Sequence, residues 1–261
     1  ALINAGLNAK EKAEEKPDDT LAQIERAPGT RERDHLYAMA ASAAVKKNDP
    51  KAREFADKIE DSELKKNVRG FVDFILVSKF LEKTDWEKAL RLARDGELSH
   101  LQRAWSCTEI AALLRSVAPE QAMDLIKEAT AEAERVTVKS SEGAQAWIAI
   151  ARRTAEVDPT RKWPSVLDAI KAVNNATGYT GEEKELTVSF RSRNNIQMMQ
   201  VSAPGINLAA LFETLADEDI YQAADMARSI TNESARAIAL LATASSAFEK
   251  KAGKPGANGP R

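Results

Sequence analysis

Histidine and cysteine, the side chains that most often act as bases, nucleophiles and metal ligands, are scarce in this chain. Its 261 residues include two histidines, His35 and His100, and one cysteine, Cys107. A zinc site built on them would have to recruit carboxylates at unspecified distances. Both histidines stand near predicted helix starts, which favours structural roles, and Cys107 reads as a small buried hydrophobe inside a helix. We therefore expect no metal, no cofactor and no catalytic residue.

Carboxylates and guanidinium groups are plentiful and offer the remaining chemistry. Two carboxylates can catalyse glycoside hydrolysis when a fold holds them at the right separation. The groups that stand out are Glu109 with Arg115, Arg152 with Arg153, and Arg191 with Arg193. No spacing in the sequence brings two carboxylates together, so a carboxylate-based enzyme is the less favoured alternative.

The elements that would position these side chains are helices in a repeat. Short amphipathic helices begin at intervals of 37, 33, 41 and 60 residues, at Asp49, Trp86, Pro119, Thr160 and Ile220. Apolar or alanine residues recur three, six, seven and often ten positions after each start, which places them on one helix face. Such a period is typical of stacked helix pairs. The predicted helices span 34–47, 50–60, 63–82, 85–96, 99–116, 119–135, 142–156, 160–174, 206–216, 218–231 and 233–250.

The segment 85–93, DWEKALRLA, resembles the second helix of a tetratricopeptide repeat, and the period is also similar. The resemblance extends over about 31–174 and 206–250, with other α-hairpin repeats as close alternatives. It implies an all-α fold, a right-handed α-solenoid of antiparallel helix pairs, and an adaptor that binds peptides or proteins in a concave groove. The first helices lack the Trp-x-x-Leu-Gly-x-x-Tyr pattern of that family, so no ligand-binding residue carries over.

Trp105 and Trp147 occupy equivalent places in the first helices of two units. First helices line the concave surface of a helix-pair solenoid, so either indole could show an edge to the groove and anchor a peptide. The alternative, which the sequence favours, is that both fill gaps between helix layers. They are the candidate binding residues.

Residues 175–205 interrupt the repeat. Polar and apolar side chains alternate over 187–193, a pattern typical of a strand. Asn194 and Asn195 can form a tight two-residue turn because asparagine tolerates positive φ. We predict a small β-hairpin near 186–202; the alternative is an irregular helix capped by Thr180 and Glu183.

The rest of the chain completes the predicted organisation. Residues 1–30 suit a helical cap or the end of a preceding repeat, 31–174 hold helical repeats, and 206–250 form the last repeat. Residues 251–261 are rich in glycine and proline and suit a flexible tail or linker. The chain starts at Ala1 rather than Met, so an alternative is a spacer or regulatory domain of a larger protein.

Charge and hydropathy limit the classes of partner that the chain can have. Thirty-eight basic and 40 acidic residues leave a formal net charge of −2, and they alternate, so no nucleic-acid partner is expected. No apolar run approaches the roughly 18 residues of a membrane helix, and no signal peptide is visible. We expect a soluble chain of unknown compartment. The predicted function is non-enzymatic interaction with a protein or peptide of unknown identity.

Overall fold

The computed structural model describes residues 17–252, and side-chain burial over residues 22–248. This part holds twelve α-helices, a two-stranded antiparallel sheet and two short 3-10 turns, Pro159–Arg161 and Pro204–Ile206. The helices are α1 Pro17–Arg26, α2 Thr30–Lys46, α3 Ala52–Asp57, α4 Ser62–Glu82, α5 Trp86–Asp95, α6 His100–Leu114, α7 Pro119–Ala133, α8 Ser141–Val157, α9 Lys162–Asn175, α10 Leu208–Glu218, α11 Ile220–Arg228 and α12 Glu233–Ala252. The strands are β1 Glu185–Ser192 and β2 Asn195–Ser202. The predictions made for residues 1–16 and 253–261 fall outside the described residues.

The helices follow one another in pairs joined by short loops. The pairs α2/α3, α4/α5, α6/α7, α8/α9 and α10/α11 are each in contact, and α12 packs on α10 and α11. Successive first helices also touch, from α2 through α4, α6, α8 and α10 to α12. The prediction of a mostly helical chain that carries a small β-hairpin is confirmed.

The apolar stripe predicted for the second helix of each pair is the buried face of α3, α5, α7 and α11. Alanines at closely packed positions alternate with larger apolar residues, and the buried members are Ala52, Ala56, Ile59, Ala89, Leu92, Ala93, Ala122, Leu125, Ile126, Ala129, Ala223, Ala227 and Ile230. In α9 two of the predicted positions, Val166 and Ile170, are buried, whereas Trp163 is half-buried and Leu167 is 42% exposed. The buried residues Val166, Ala169, Ile170 and Val173 lie three or four positions apart on one face of the helix, and Leu167 stands outside that face.

Leu241 of α12 is a large apolar residue that the fold leaves 68% exposed. Its neighbour Ala242 is buried against the second of two apolar clusters. Leu241 lies on the side of α12, the last described helix, that no described element covers.

Two buried aspartates of first helices hold the loops between pairs. The backbone N–H groups of Glu60 and Asp61 each donate to a carboxylate oxygen of Asp34 over 2.9 Å. In α4, Asp73 accepts from the N–H of Glu97 over 3.0 Å, and burial raises the pKa of Asp73. Both carboxylates supply acceptors to loop N–H groups that would otherwise lack partners.

Replacing Asp34 by alanine should lower the free energy of unfolding by about 2 kcal/mol, because two N–H groups lose their acceptor. Asp34→Asn keeps one acceptor oxygen and should lose less. Urea denaturation of both variants measures the difference. An alanine variant as stable as the asparagine variant would show that the loop does not depend on this side chain.

The inserted hairpin pairs without interruption from Glu185 opposite Ser202 to Ser192 opposite Asn195. The predicted strands are confirmed, but the turn was placed one residue late: it consists of Arg193 and Asn194, with φ 53 at Arg193. The inward-facing residues of β1 decide the register, because a slip of one position would turn all of them to solvent.

The hairpin folds back over the first helices. Its inner residues Leu186, Val188 and Phe190 belong to the first apolar cluster, and the ring of Phe190 meets that of Phe71 of α4 edge-on, with centroids 5.0 Å apart. The 3-10 turn Pro204–Ile206 after β2 contacts α6 and α8. The insertion thus runs from α6 and α8, where it ends, to α2, which the tip of the hairpin contacts.

Candidate functional site

Trp105, the first candidate anchor, lies in the core. It is 3% exposed and packs edge-on against Phe74 of α4, with ring centroids 5.5 Å apart. An anchor has to present its indole to a partner. The structure corrects the expectation that Trp105 shows an edge to a groove, and its position agrees with the alternative that it fills a gap between layers.

Trp147, the second candidate anchor, is half-buried and touches both apolar clusters. It borders a surface cavity of about 420 Å³ whose other walls include Val138, Asp168 and Lys171. These walls belong to α8, to α9 and to the end of α7 with the loop after it, so the cavity lies beside second helices. The role of Trp147 as an anchor stays a prediction.

Two of the three groups picked out in the sequence, Glu109 with Arg115 and Arg152 with Arg153, converge between α6 and α8, whereas Arg191 and Arg193 lie on the hairpin. Arg153 donates to both oxygens of Glu109 and to both oxygens of Glu156, each over 2.9 Å. Arg115 lies 3.4 Å from Glu156, and Arg152 lies beside the same carboxylate at 3.9 Å. Burial alone would lower the pKa of Arg153, but the two carboxylates raise it.

This cluster, Glu109, Arg115, Arg152, Arg153 and Glu156, is suited to holding elements together. Arg152 donates to the backbone carbonyl of Pro204 after the hairpin. In the same turn, a Cβ on Gly205 would stand 2.6 Å from Glu109 Oε1, so a larger residue there would have to displace that carboxylate. A glycosidase needs an acid and a base free to meet the sugar, whereas one guanidinium occupies the space between these two carboxylates.

His35 links α2 to the tip of the hairpin. Its Nδ1 lies 2.9 Å from Ser192 Oγ, and its Nε2 lies 3.5 Å from the Asn195 side-chain nitrogen. A serine beside a histidine is also the geometry of an activated nucleophile. Ser192 is 3% exposed, however, so little of its hydroxyl can meet a substrate. The structural role expected for His35 fits, although its partner lies 157 residues away.

One face of α2 carries these contacts. Glu32 pairs with Arg193, and Ser42 and Lys46 both donate to Gln197 Oε1 over 3.2 Å. Polar residues spaced three and four apart on a helix share one face. That spacing is visible in the sequence and could have indicated that this face of α2 makes polar contacts. The neighbouring residues do not, however, indicate that β2 and the hairpin tip are the partner.

Acidification should loosen this contact. Burial, and next the charge of Arg193, lower the pKa of His35 below its usual 6.5. Stability contributed by a group with a depressed folded pKa is present above the unfolded pKa and is lost as the pH falls through the folded pKa. The free energy of unfolding should therefore fall more between about pH 7.5 and 5.5 in the wild type than in His35→Asn, which does not titrate there. Urea midpoints at both pH values measure this, and parallel pH profiles would contradict it.

An open trough runs beside β1. Two surface cavities of about 900 and 510 Å³ share Asn67 of α4 as a lining residue. The first is bordered by the starts of α2 and α4 and by residues 191–193, and the second by the starts of α6 and α8 and by residues 188–189. We call these two cavities together the β1 trough. Its walls combine the N-terminal ends of four first helices with one edge of the hairpin.

Charged side chains of both signs line the β1 trough without partners among the described residues. They are Arg31, Glu63 and Arg191 in the first cavity and Lys66, Glu97 and Glu142 in the second. Asp34 and Asp61 in the first cavity are committed to backbone N–H groups. The trough is polar, open and supplied with groups that a bound molecule could pair.

Cys107 and His100 are the other residues for which we expected structural roles. Cys107 is buried, and burial raises its pKa to about 12. His100 Nδ1 lies 2.6 Å from Glu132 Oε2. Over the part of the chain with described side chains, no three histidine, cysteine, aspartate or glutamate residues cluster as a metal site would require.

The chain was compared with protein-family models, curated proteins and solved structures, and nothing matched. Within residues 17–252, none of the helices combines the length and apolar character that crossing a membrane requires.

Proposed function

We propose that this chain is a non-enzymatic binding protein, a divergent tetratricopeptide-like α-solenoid that holds a peptide or a segment of a partner protein. The β1 trough is the observation that carries the proposal. The repeated helix pairs and the similarity of segment 85–93 to a second helix of that family support the architecture.

The β1 trough offers charged groups that are available to a partner, whereas those of the Arg153 cluster are not. Stacked helix pairs bury apolar area mainly against their neighbours, which leaves long surfaces free for recognition. In the trough, six charged side chains have no partner among the described residues, whereas the two carboxylates of the Arg153 cluster both bind the guanidinium group of Arg153. Unpaired polar groups in a concave site favour binding, and paired ones favour structural support.

The hairpin changes where a partner would lie. In the simplest solenoid the groove over the first helices is open, but here Val188 and Phe190 are packed against α4 and its neighbours. We place the partner beside the hairpin, in the β1 trough, since the surface under the hairpin is already filled.

Site-specific photocrosslinking tests the proposal. The full chain would carry benzoylphenylalanine at Asn67, which lines both cavities, or at Val117, an exposed position beyond the far end of α6. Incubation with extract of the source cells should give a discrete protein adduct from position 67 alone, and excess unmodified chain should compete it away. The absence of adducts would favour a spacer or regulatory domain of a larger protein, and equal adducts at both positions would count against the trough.

A further inference from the structure

The outer edge of β1 is a free strand edge that borders the β1 trough. Among the residues that the structure describes, β1 pairs with β2 alone, so its second edge meets no strand there. Residues 188–189 and 191–193 form a wall of the two cavities, whereas residues 195–202 of β2 border neither.

The hydrogen-bond pattern of the hairpin shows which backbone groups are left over. Ser192 and Asn195 flank a two-residue turn and therefore form a hydrogen-bonded pair. At the end of the hairpin away from the turn, the N–H of Ala203 donates to the carbonyl of Lys184 over 2.8 Å. Lys184 and Ser192 are both even-numbered, so the hydrogen-bonded pairs alternate regularly between them. Even-numbered residues of β1 thus bond to β2. The N–H and C=O groups that point outward, without a partner among the described residues, belong to Glu185, Thr187, Ser189 and Arg191.

Two of the usual protections against pairing, a bulge and a proline, are missing from this edge. The register runs over eight residues with no bulge and no proline. Proteins commonly blunt an exposed edge with such features, because a row of unpaired N–H and C=O groups is a template for another strand. An unblunted edge beside an open trough is therefore a place where a strand can be added.

We propose that an extended peptide segment of the binding partner adds to β1 as a third, antiparallel strand. The inference rests on the proposed function and specifies its ligand. Only an extended backbone offers donors and acceptors at the alternating spacing that β1 presents. The stretch 188–193, of which every residue except Phe190 borders the trough, spans about 20 Å at about 3.4 Å per residue, enough for six residues of a partner. Antiparallel pairing is the more stable arrangement per residue.

Charge on the exposed face of β1 fixes the chemistry of the segment. Arg191 lies near the hairpin tip and Glu185 at the opposite end, both exposed and without ion partners among the described residues. Of the charges without partners among the described residues, Arg31 and Arg191 in the first cavity, near the tip, are positive and Glu63 is negative; in the second cavity Glu97 and Glu142 are negative and Lys66 is positive. The excess charge is therefore positive near the tip and negative in the second cavity. Opposite charges across paired strands are favourable. An antiparallel segment should therefore carry an acidic residue opposite Arg191 and a basic residue six positions later, opposite Glu185.

The probe is a fluorescein-labelled heptapeptide, EVTVTVK, with the charge-swapped peptide KVTVTVE as its partner. Titration of the full chain followed by anisotropy should show EVTVTVK binding about fivefold more tightly than KVTVTVE. Hydrogen exchange of the amides of Thr187, Ser189 and Arg191 should slow when EVTVTVK is added, which reports strand addition directly.

Two proline variants separate this edge from the rest of the surface. Ser189→Pro removes an outward N–H of β1 and leaves the bonds to β2 intact, as proline does on edge strands. Met198→Pro does the same on β2, directly opposite, and is the matched control. Ser189→Pro should weaken EVTVTVK binding about tenfold, the loss of one hydrogen bond, while Met198→Pro binds like the wild type. Circular dichroism melts of both variants check that the fold is kept.

The outcomes distinguish this inference from the proposed function. Equal binding of the probe to wild type and Ser189→Pro would overturn strand addition and leave peptide binding in place. No binding of either peptide up to about 1 mM would also overturn strand addition, while the crosslinking at Asn67 tests partner binding independently.

Discussion

Replacing Trp105 by alanine is expected to lower the free energy of unfolding by about 3–5 kcal/mol. The indole is almost completely buried, and it packs edge-on against Phe74 in the first apolar cluster. Alanine would leave a cavity that well-packed helices cannot collapse to fill, so the transfer and cavity terms add. Urea denaturation followed by circular dichroism measures the loss.

Trp147→Ala is the matched control for this prediction. Trp147 sits at the equivalent place of the next first helix but is only half-buried, so its loss should cost about 2 kcal/mol or less. The comparison also decides between the two interpretations of these tryptophans. A Trp105→Ala variant that keeps its stability but loses partner binding would restore Trp105 as an anchor.

The second large effect is expected from Arg153→Ala, at about 3–5 kcal/mol. Arg153 has a side chain 11% exposed and is hydrogen-bonded to Glu109 and Glu156. Removing it leaves two mostly buried carboxylates near each other without their main cation. An isolated buried charge is far more costly than the net value of the intact pair, which is why the truncation should be severe.

Arg115→Ala supplies the control, because Arg115 contacts the same Glu156 with a side chain 54% exposed. Solvent screens such a pair, so the expected loss is below about 1 kcal/mol. Denaturation of both variants in parallel tests the contrast. Similar losses in the two variants would mean that burial does not set the value of this cluster.

The hairpin adds contacts between residues that are far apart in the sequence, which a simple repeat lacks. In repeat proteins each unit contacts mainly its neighbours, yet here Ser192 bonds to His35 across 157 residues of sequence. The inner face of the hairpin completes the cluster that includes α4, and the Arg153 cluster holds the turn that follows it. Variants at either end of this contact should therefore affect the unfolding of the early helices as well.

Local patterns in the sequence determined the elements. Apolar spacing of three and four predicted the helices, and alternation over 187–193 with the asparagines after it predicted the hairpin. These predictions succeeded because a helix or a two-residue hairpin is specified by residues a few positions apart. They failed by small shifts, at Leu167, which stands outside the buried face of α9, and at the turn, where the register that buries the inner face of β1 places the turn one residue earlier.

Tertiary structure alone decided what those elements bring together. The sequence singled out Glu109, Arg153 and the arginines of the hairpin, but only packing joined two glutamates to one guanidinium and placed the edge of β1 beside four helix ends. Trp105 illustrates the same limit, since its helical position was predicted and its burial depended on α4. Periodicity reports which side of an element is apolar, whereas the neighbour that covers it depends on the path of the intervening chain.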